Sequence, residues 1–310
     1  MVTRREKRML TRAEVLTVVI LGLFVLAIVP LACRTAQIID SRTVCALHLS
    51  ALGKAMQIYA NDYEDALPRA GGPTTTWGPT ADWVAPHRYA AFGMQPGGDS
   101  GGSATISASF YLLVKYAEVA PKLFVCPDDT GTTEFKLADV SGAEPTVTLI
   151  DAWDFGPAGE SWKHCSYAYH MPYGKYALTT SRDPKLAVAA DRNPWIESPA
   201  AKAASISMFQ PDVPPWNASD KMARAGNSPS HQKDGQNVLF LDGRVNFETR
   251  SYCAGDEDNI YTISGNRDGA NPLGIMPPTA QFSPSSDCDC VLVHDPPAFV
   301  SPVRVRPTRR

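Results

Sequence analysis

The sequence predicts an α+β fold in which one long N-terminal helix packs on a small antiparallel β-sheet, with long irregular loops between the elements. Three observations predict it. Residues 14–68 carry an apolar run and then an amphipathic helical spacing that stops at Pro68. Short apolar pieces farther on (Thr146–Ile150, Ser166–His170, Leu186–Ala190 and Asn237–Leu241) each lie close to Pro, Gly or Asp, as strands of a sheet do. Finally, 26 prolines and 22 glycines among 310 residues favour a loop-rich body over a helical bundle. The expected segments are a basic leader (1–13), the helix (14–68), an α+β body (69–277) and an extended Pro-rich tail (278–310).

Arg4, Arg5, Lys7, Arg8 and Arg12 precede an apolar run from Val15 to Ala32, interrupted only by Thr17, Gly22 and Pro30. Eighteen residues reach the lower limit for crossing a bilayer, so Val15–Ala32 is expected to contact membrane lipid. The preceding positive charge should stay cytoplasmic, giving a single-pass inner-membrane protein with its C-terminal domain periplasmic or extracellular. A cleaved secretory signal would need an A-x-A-like site, which Pro30-Leu31-Ala32 does not supply. A lipoprotein signal would use Cys33, and Pro30-Leu31-Ala32-Cys33 resembles an altered lipobox. Glu14 at the start of the run speaks for a retained anchor. A carboxylate there is favoured by the helix N-terminus, or it answers a positive group on a neighbour.

Beyond the membrane, Cys45, Leu49, Leu52, Met56, Tyr59 and Tyr63 form an apolar stripe in steps of three and four. His48, Lys54, Gln57, Asn61 and Glu64 fall on other faces. The stripe is too short for a coiled coil and is expected to pack under the chain's own body. A second helix is expected from Ser107 to Val119, and an apolar strand at Lys122–Cys126 running into the turn Cys126-Pro127-Asp128-Asp129. Asn237–Leu241, Asp242-Gly243 and Arg244–Phe247 read as a β-hairpin, with glycine supplying the positive φ of the turn.

The stretch Met9-Leu10-Thr11-Arg12-Ala13-Glu14-Val15-Leu16 resembles the processing site and first helical turns of type IV pilins and type II secretion pseudopilins. Arg8 and Glu14 match that pattern, and Pro30 lies about where the family's helix has a proline. Met9 stands where the family has glycine, and Leu10 where it has phenylalanine. Two further blocks resemble bacterial pseudopilin-like proteins with a C-terminal H-X9-DG motif. One is the cysteine-bearing helix from Thr43 that ends in Tyr59-Ala60-Asn61-Asp62 before Pro68. The other runs from Asn227-Ser228-Pro229-Ser230-His231 to Asp242-Gly243, with one extra residue between His231 and Asp242, placed within residues 232–234. Cys126-Pro127-Asp128-Asp129 and Asp191-Arg192-Asn193-Pro194 fit the same pattern. The resemblance implies a pilin-like fold and a structural, non-enzymatic role as a subunit of a type II secretion or type IV pilus-like assembly. It implies possible processing at Arg8, Met9 and Leu10, assembly through Glu14, and other pilin-like subunits, self or hetero, as partners. A stand-alone membrane-anchored binding protein or lipoprotein is the alternative.

Six cysteines follow Cys33, an even number that suggests up to three disulfides in an oxidising compartment. The pairings expected are Cys126 with Cys165, and Cys253 with Cys288 or Cys290. A net charge of −3 gives nucleic-acid binding no electrostatic support. His231 with Asp242 and Asp191 offers acid–base groups, but no placed nucleophile accompanies them, so His231 is read as bracing the hairpin and Asp242 its turn. Asp154-Phe155-Gly156 lacks the companion motifs of a kinase. No cofactor is expected. For metals, Asp256 and Asp258 are weak calcium candidates without EF-hand spacing, and Cys288, Cys290 and His294 lack a second pair of zinc ligands.

Overall fold

A computed structural model describes residues 12–97, 100–140, 146–157, 159–205, 223–263, 277 and 282–297, without the side chains of residues 30–40 and 256. Arg8, Met9 and Leu10 therefore lie outside the described residues, as do the side chains of Pro30, Cys33 and Asp256. The chain divides into two units between Ser41 and Arg42. Helix α1 (Arg12–Asp62) carries residues of both.

In the first unit, Arg12–Val29 is long and apolar enough to cross a membrane, and none of it is buried. Its rise of about 27 Å, at 1.5 Å per residue, approaches the thickness of a bilayer's hydrocarbon core. Large apolar side chains face outward all along it, among them Phe24 (65% exposed) and Leu26 (71%). Thr17, its one hydroxyl residue, donates to the Ala13 carbonyl four residues back, so that hydroxyl is satisfied within the helix.

The second unit is built on a five-stranded sheet of order β6-β5-β4-β3-β7, antiparallel throughout. The strands are β3 (Tyr167–His170), β4 (Ala187–Asp191), β5 (Gln236–Phe240), β6 (Val245–Glu248) and β7 (Leu292–Val293). A register shift between Ala187 and Ala189 bulges β4 against β5. Strands β3, β4 and β5 are buried at every position, so they read as continuous runs instead of the alternation of a half-exposed sheet. From Cys45 onward α1 lies on this sheet. Cys45, Leu49 and Leu52 are fully buried, and a Cβ at Gly53 would stand 2.8 Å from the Leu239 side chain of β5, so glycine sets the close approach there.

Helix α3 (Ile106–Ala117) is the core of the other layer. It is buried from Ile106 to Val114 and starts at Thr105, whose hydroxyl accepts from the Ala108 N–H. Phe110 and Tyr111 of α3 enter an aromatic cluster with Phe124, Phe135, Phe155 and Tyr169. Residues 69–105 hold a short helix α2 (Arg88–Phe92) and a parallel pair, β1 (Thr76–Trp77) with β2 (Ser103–Ala104).

Four expectations are corrected. Helix α1 ends at Asp62, short of Leu67, because Glu64 and Asp65 take positive φ (52° and 62°) and turn the chain. Pro121–Phe124 is a 3₁₀ turn where a strand was expected, started by a proline already fixed at helical φ. Thr146–Ile150 is likewise turn, not strand. The segment expected to be an extended Pro-rich tail instead supplies β7: Cys290, Val291, Leu292 and Val293 are fully buried. The surrounding Pro and Ser conceal a four-residue run too short for a periodic signal.

Candidate functional site

The residues that carry the family resemblance come from five separated stretches, and around His231 four of them meet. Asn227 opens the loop, its amide donating to the carbonyls of Lys233 and Thr249. His231, Gln232 and Lys233 then take positive φ in succession (52°, 59° and 62°), at the place where the extra residue was expected. This left-handed run, costly for residues with a Cβ, turns the fully buried imidazole inward.

His231 stands between two carboxylates. Its Nε2 is 3.3 Å from Oδ2 of Asp191, at the end of β4, and its Nδ1 is 3.2 Å from Oδ2 of Asp128. Asn237 of β5 fixes Asp191, with its backbone N–H donating to Oδ2 at 2.7 Å. Burial pulls the His231 pKa down, but the hydrogen bond and charge of Asp191 and the charge of Asp128 outweigh it, and the net shift is upward. Next to this pair, Arg192 and Asp129 form a wholly buried ion pair at 2.8 Å, and the guanidinium also donates to Thr132 Oγ1 and the Trp162 carbonyl. Asp128, Asp129 and Arg192 were visible only as parts of Cys-Pro-Asp-Asp and Asp-Arg-Asn-Pro. The available signal was charge placed directly beside apolar runs.

The cysteine pairing differs from the one expected. Cys126 is bonded to Cys45 of α1, across 81 residues, and Cys165, Cys253, Cys288 and Cys290 are free. The expectation for Cys126 missed by one residue of register. Ser166 N–H donates to the Phe124 carbonyl and Cys126 N–H to Ser166 Oγ, so residue 166 faces this segment while Cys165 Sγ turns to the Tyr167 carbonyl. Cys290 Sγ accepts from the Ala187 N–H, and Cys253 Sγ points to the Ser251 carbonyl.

Asp242 and Gly243 do not join His231. They form the β5–β6 turn, where Gly243 has φ 85°, Asp242 Oδ1 accepts from the Arg244 N–H, and the Arg244 guanidinium pairs with the Asp242 carboxylate. The motif thus divides into a buried imidazole and an exposed turn at opposite ends of β5. No acid–base pair links them.

Asp258 Oδ2 accepts from the Cys290 N–H at 2.6 Å and so serves to hold the C-terminal segment against the sheet. His294 is buried, its Nδ1 accepting from the Asn193 N–H and its Nε2 3.3 Å from the Glu197 carbonyl, away from Cys290. Among the described residues, metal-type ligands converge elsewhere: Cys45, Cys126, Asp191 and His231, all buried, bring one ligand atom each within 4.8 Å of one another.

A second buried acidic site caps α3. Asp295 accepts from the N–H groups of Ile106 and Ser107 and from Trp77 Nε1. Asp154, of the Asp-Phe-Gly tripeptide, accepts from the hydroxyls of Thr80, Thr105 and Ser107 and from its neighbour Phe155 N–H. Burial first, then the charge of Asp295, pushes Asp154 up to about 7. Burial raises Asp295 as well, opposed by its three N–H donors, whereas the hydroxyls around Asp154 can reverse and accept from a protonated carboxyl.

The chain matches no known family model, no curated protein and no solved structure. The pilin resemblance rests on its own residues. At the other end of α1, Glu14 lies in the first helical turn, directly before the exposed apolar surface.

Proposed function

We propose that this chain is a pseudopilin-like structural subunit of a type II secretion or type IV pilus-like assembly. It is held in the inner membrane by α1, with its N-terminus cytoplasmic and its body on the far side. The observation that carries the reading is the two-part character of α1. Its Arg12–Val29 portion is apolar and exposed, while its portion from Cys45 to Ala60 is the floor of an α+β body. A globular domain that needed only a tether would not require the tether and the core helix to be the same element.

In this reading the first part of α1 packs against the same part of other subunits, and Glu14 sets their axial register. A carboxylate at the start of a membrane helix is favoured by the helix N-terminus, and in this reading it also faces the next copy in a helical assembly. Glu14→Ala in the full-length chain is expected to abolish cross-linked multimers in membranes and leave the thermal transition of the body unchanged. Multimers of undiminished yield in that variant would contradict the proposal and favour a stand-alone anchored binding protein.

A further inference from the structure

We infer that Cys45, Cys126, His231 and Asp191 form a zinc site in the dithiol state of the chain, so that the disulfide and the metal are alternative occupants of one buried locus. The inference does not depend on the pilin reading.

The donor atoms already stand close to the spacing a tetrahedral ion needs. With Zn–S near 2.3 Å and Zn–N and Zn–O near 2.0–2.1 Å, ligand atoms around one ion lie about 3.3 Å apart for nitrogen and oxygen and about 3.6 Å for nitrogen and sulfur. His231 Nε2 is 3.3 Å from Asp191 Oδ2 and 3.7 Å from Cys126 Sγ. All four ligand atoms lie within 4.8 Å of one another, so the main adjustment is the parting of the two sulfurs, which sit on different segments, Cys45 on α1 and Cys126 after a turn.

The surroundings of the ligands fit the same chemistry. His231 turns Nε2 toward the sulfurs and Nδ1 toward Asp128, which is how a metal-bound imidazole is oriented by a carboxylate behind it. The amide nitrogen of Asn237 lies 3.3 Å from Nε2, placing a donor beside a nitrogen that can act as an acceptor. Asp191 Oδ1 is buried and makes no hydrogen bond, although Oδ2 is held by the Asn237 N–H. Two cysteines, one histidine and one carboxylate suit zinc better than the hard ions, which take oxygen ligands alone.

The exchange balances simply. An external dithiol gives two electrons and two protons to the Cys45–Cys126 bond and becomes a disulfide itself. Zn²⁺ then displaces the two thiol protons to solvent and takes the neutral imidazole and the Asp191 carboxylate as its remaining ligands.

The test uses the full-length chain in detergent, reduced with a phosphine and titrated with Zn²⁺ or Co²⁺ alone. One ion per chain is expected, with a thiolate-to-cobalt charge-transfer band in the near ultraviolet and the intense visible bands of tetrahedral cobalt. Both should be absent from the oxidised chain and from Cys45→Ser and His231→Ala, and retained in Cys253→Ser. Asp128→Asn should weaken zinc about 10–100-fold. Alkylation of the reduced wild type supplies a second readout that does not depend on His231→Ala folding: zinc should protect Cys45 and Cys126 and leave the free, more exposed Cys288 reactive. No binding by the reduced chain, folded or not, overturns the inference. So does a cobalt spectrum that survives in Cys45→Ser, or protection that falls on Cys288 instead.

Discussion

At the scale of single residues, the body is organised by charges that have no access to water. Arg192 and Asp129 are both fully buried, and each is tolerable only because the other is present. Arg192→Met should therefore destabilise the protein by about 3–5 kcal/mol, mainly by leaving Asp129 as an uncompensated buried charge; denaturant melts of the full-length chain measure it. A loss under about 1 kcal/mol would mean that water reaches the pair. Asp154 gives a prediction of definite sign in pH. Its folded pKa, about 7, lies above the ordinary carboxylate value it has when unfolded. Its contribution is fully present below that ordinary value, near pH 4, and is lost as pH rises through about 7. The melting temperature should fall between pH 5 and 8, and Asp154→Asn should remove most of that fall. Parallel curves for the two proteins would show that Asp154 is ionised throughout. His231, also raised, adds in the same direction, so the comparison with the variant is the informative quantity.

Residue types were legible in the sequence, but their partners were less so. His231 could be read as structural from the missing nucleophile, but its partners are Asp191 and Asp128 and not Asp242, which lies at the other end of β5. His231 precedes the five-residue strand β5 and Asp242 follows it, and the motif's spacing reports the length between them without saying which end faces the core. The Cys126 pairing failed for a similar reason. Residues 165 and 166 are neighbours in sequence, yet strand alternation sends them to opposite sides, and only Ser166 faces Cys126.

At the scale of elements, those with periodic or turn signals were readable. The stripe on α1 is buried from Cys45 to Tyr59, α3 spans nearly the expected residues, and the β5–β6 hairpin has its turn at Asp242-Gly243. Elements without such signals were not. Strand β7 is two residues long, and its place beside β3 is decided by pairing with residues more than 120 positions earlier. Asp295 beyond it caps α3, so the C-terminal segment closes both the sheet and the helix layer. Leu292→Asp tests this directly. It should cost several kcal/mol, since a side chain worth about 1.5–3 kcal/mol of burial is replaced by a charge without a partner. A thermal shift of less than a few degrees would return the segment to the status of a tail.

At the scale of the whole molecule, composition and hydropathy gave the architecture: an apolar N-terminal helix and a mixed body with an antiparallel sheet. The large apolar side chains of residues 15–29 are exposed among the described residues, a surface that suits lipid or other helices. In the proposed assembly they meet other helices. A photo-reactive amino acid placed at Phe24 of the full-length chain, illuminated in intact membranes, decides between the two. Protein adducts joining α1 of one copy to α1 of another pilin-like subunit are expected, visible as a ladder above the monomer. Adducts with lipid alone, at a level of illumination that consumes the probe, would contradict the proposed assembly.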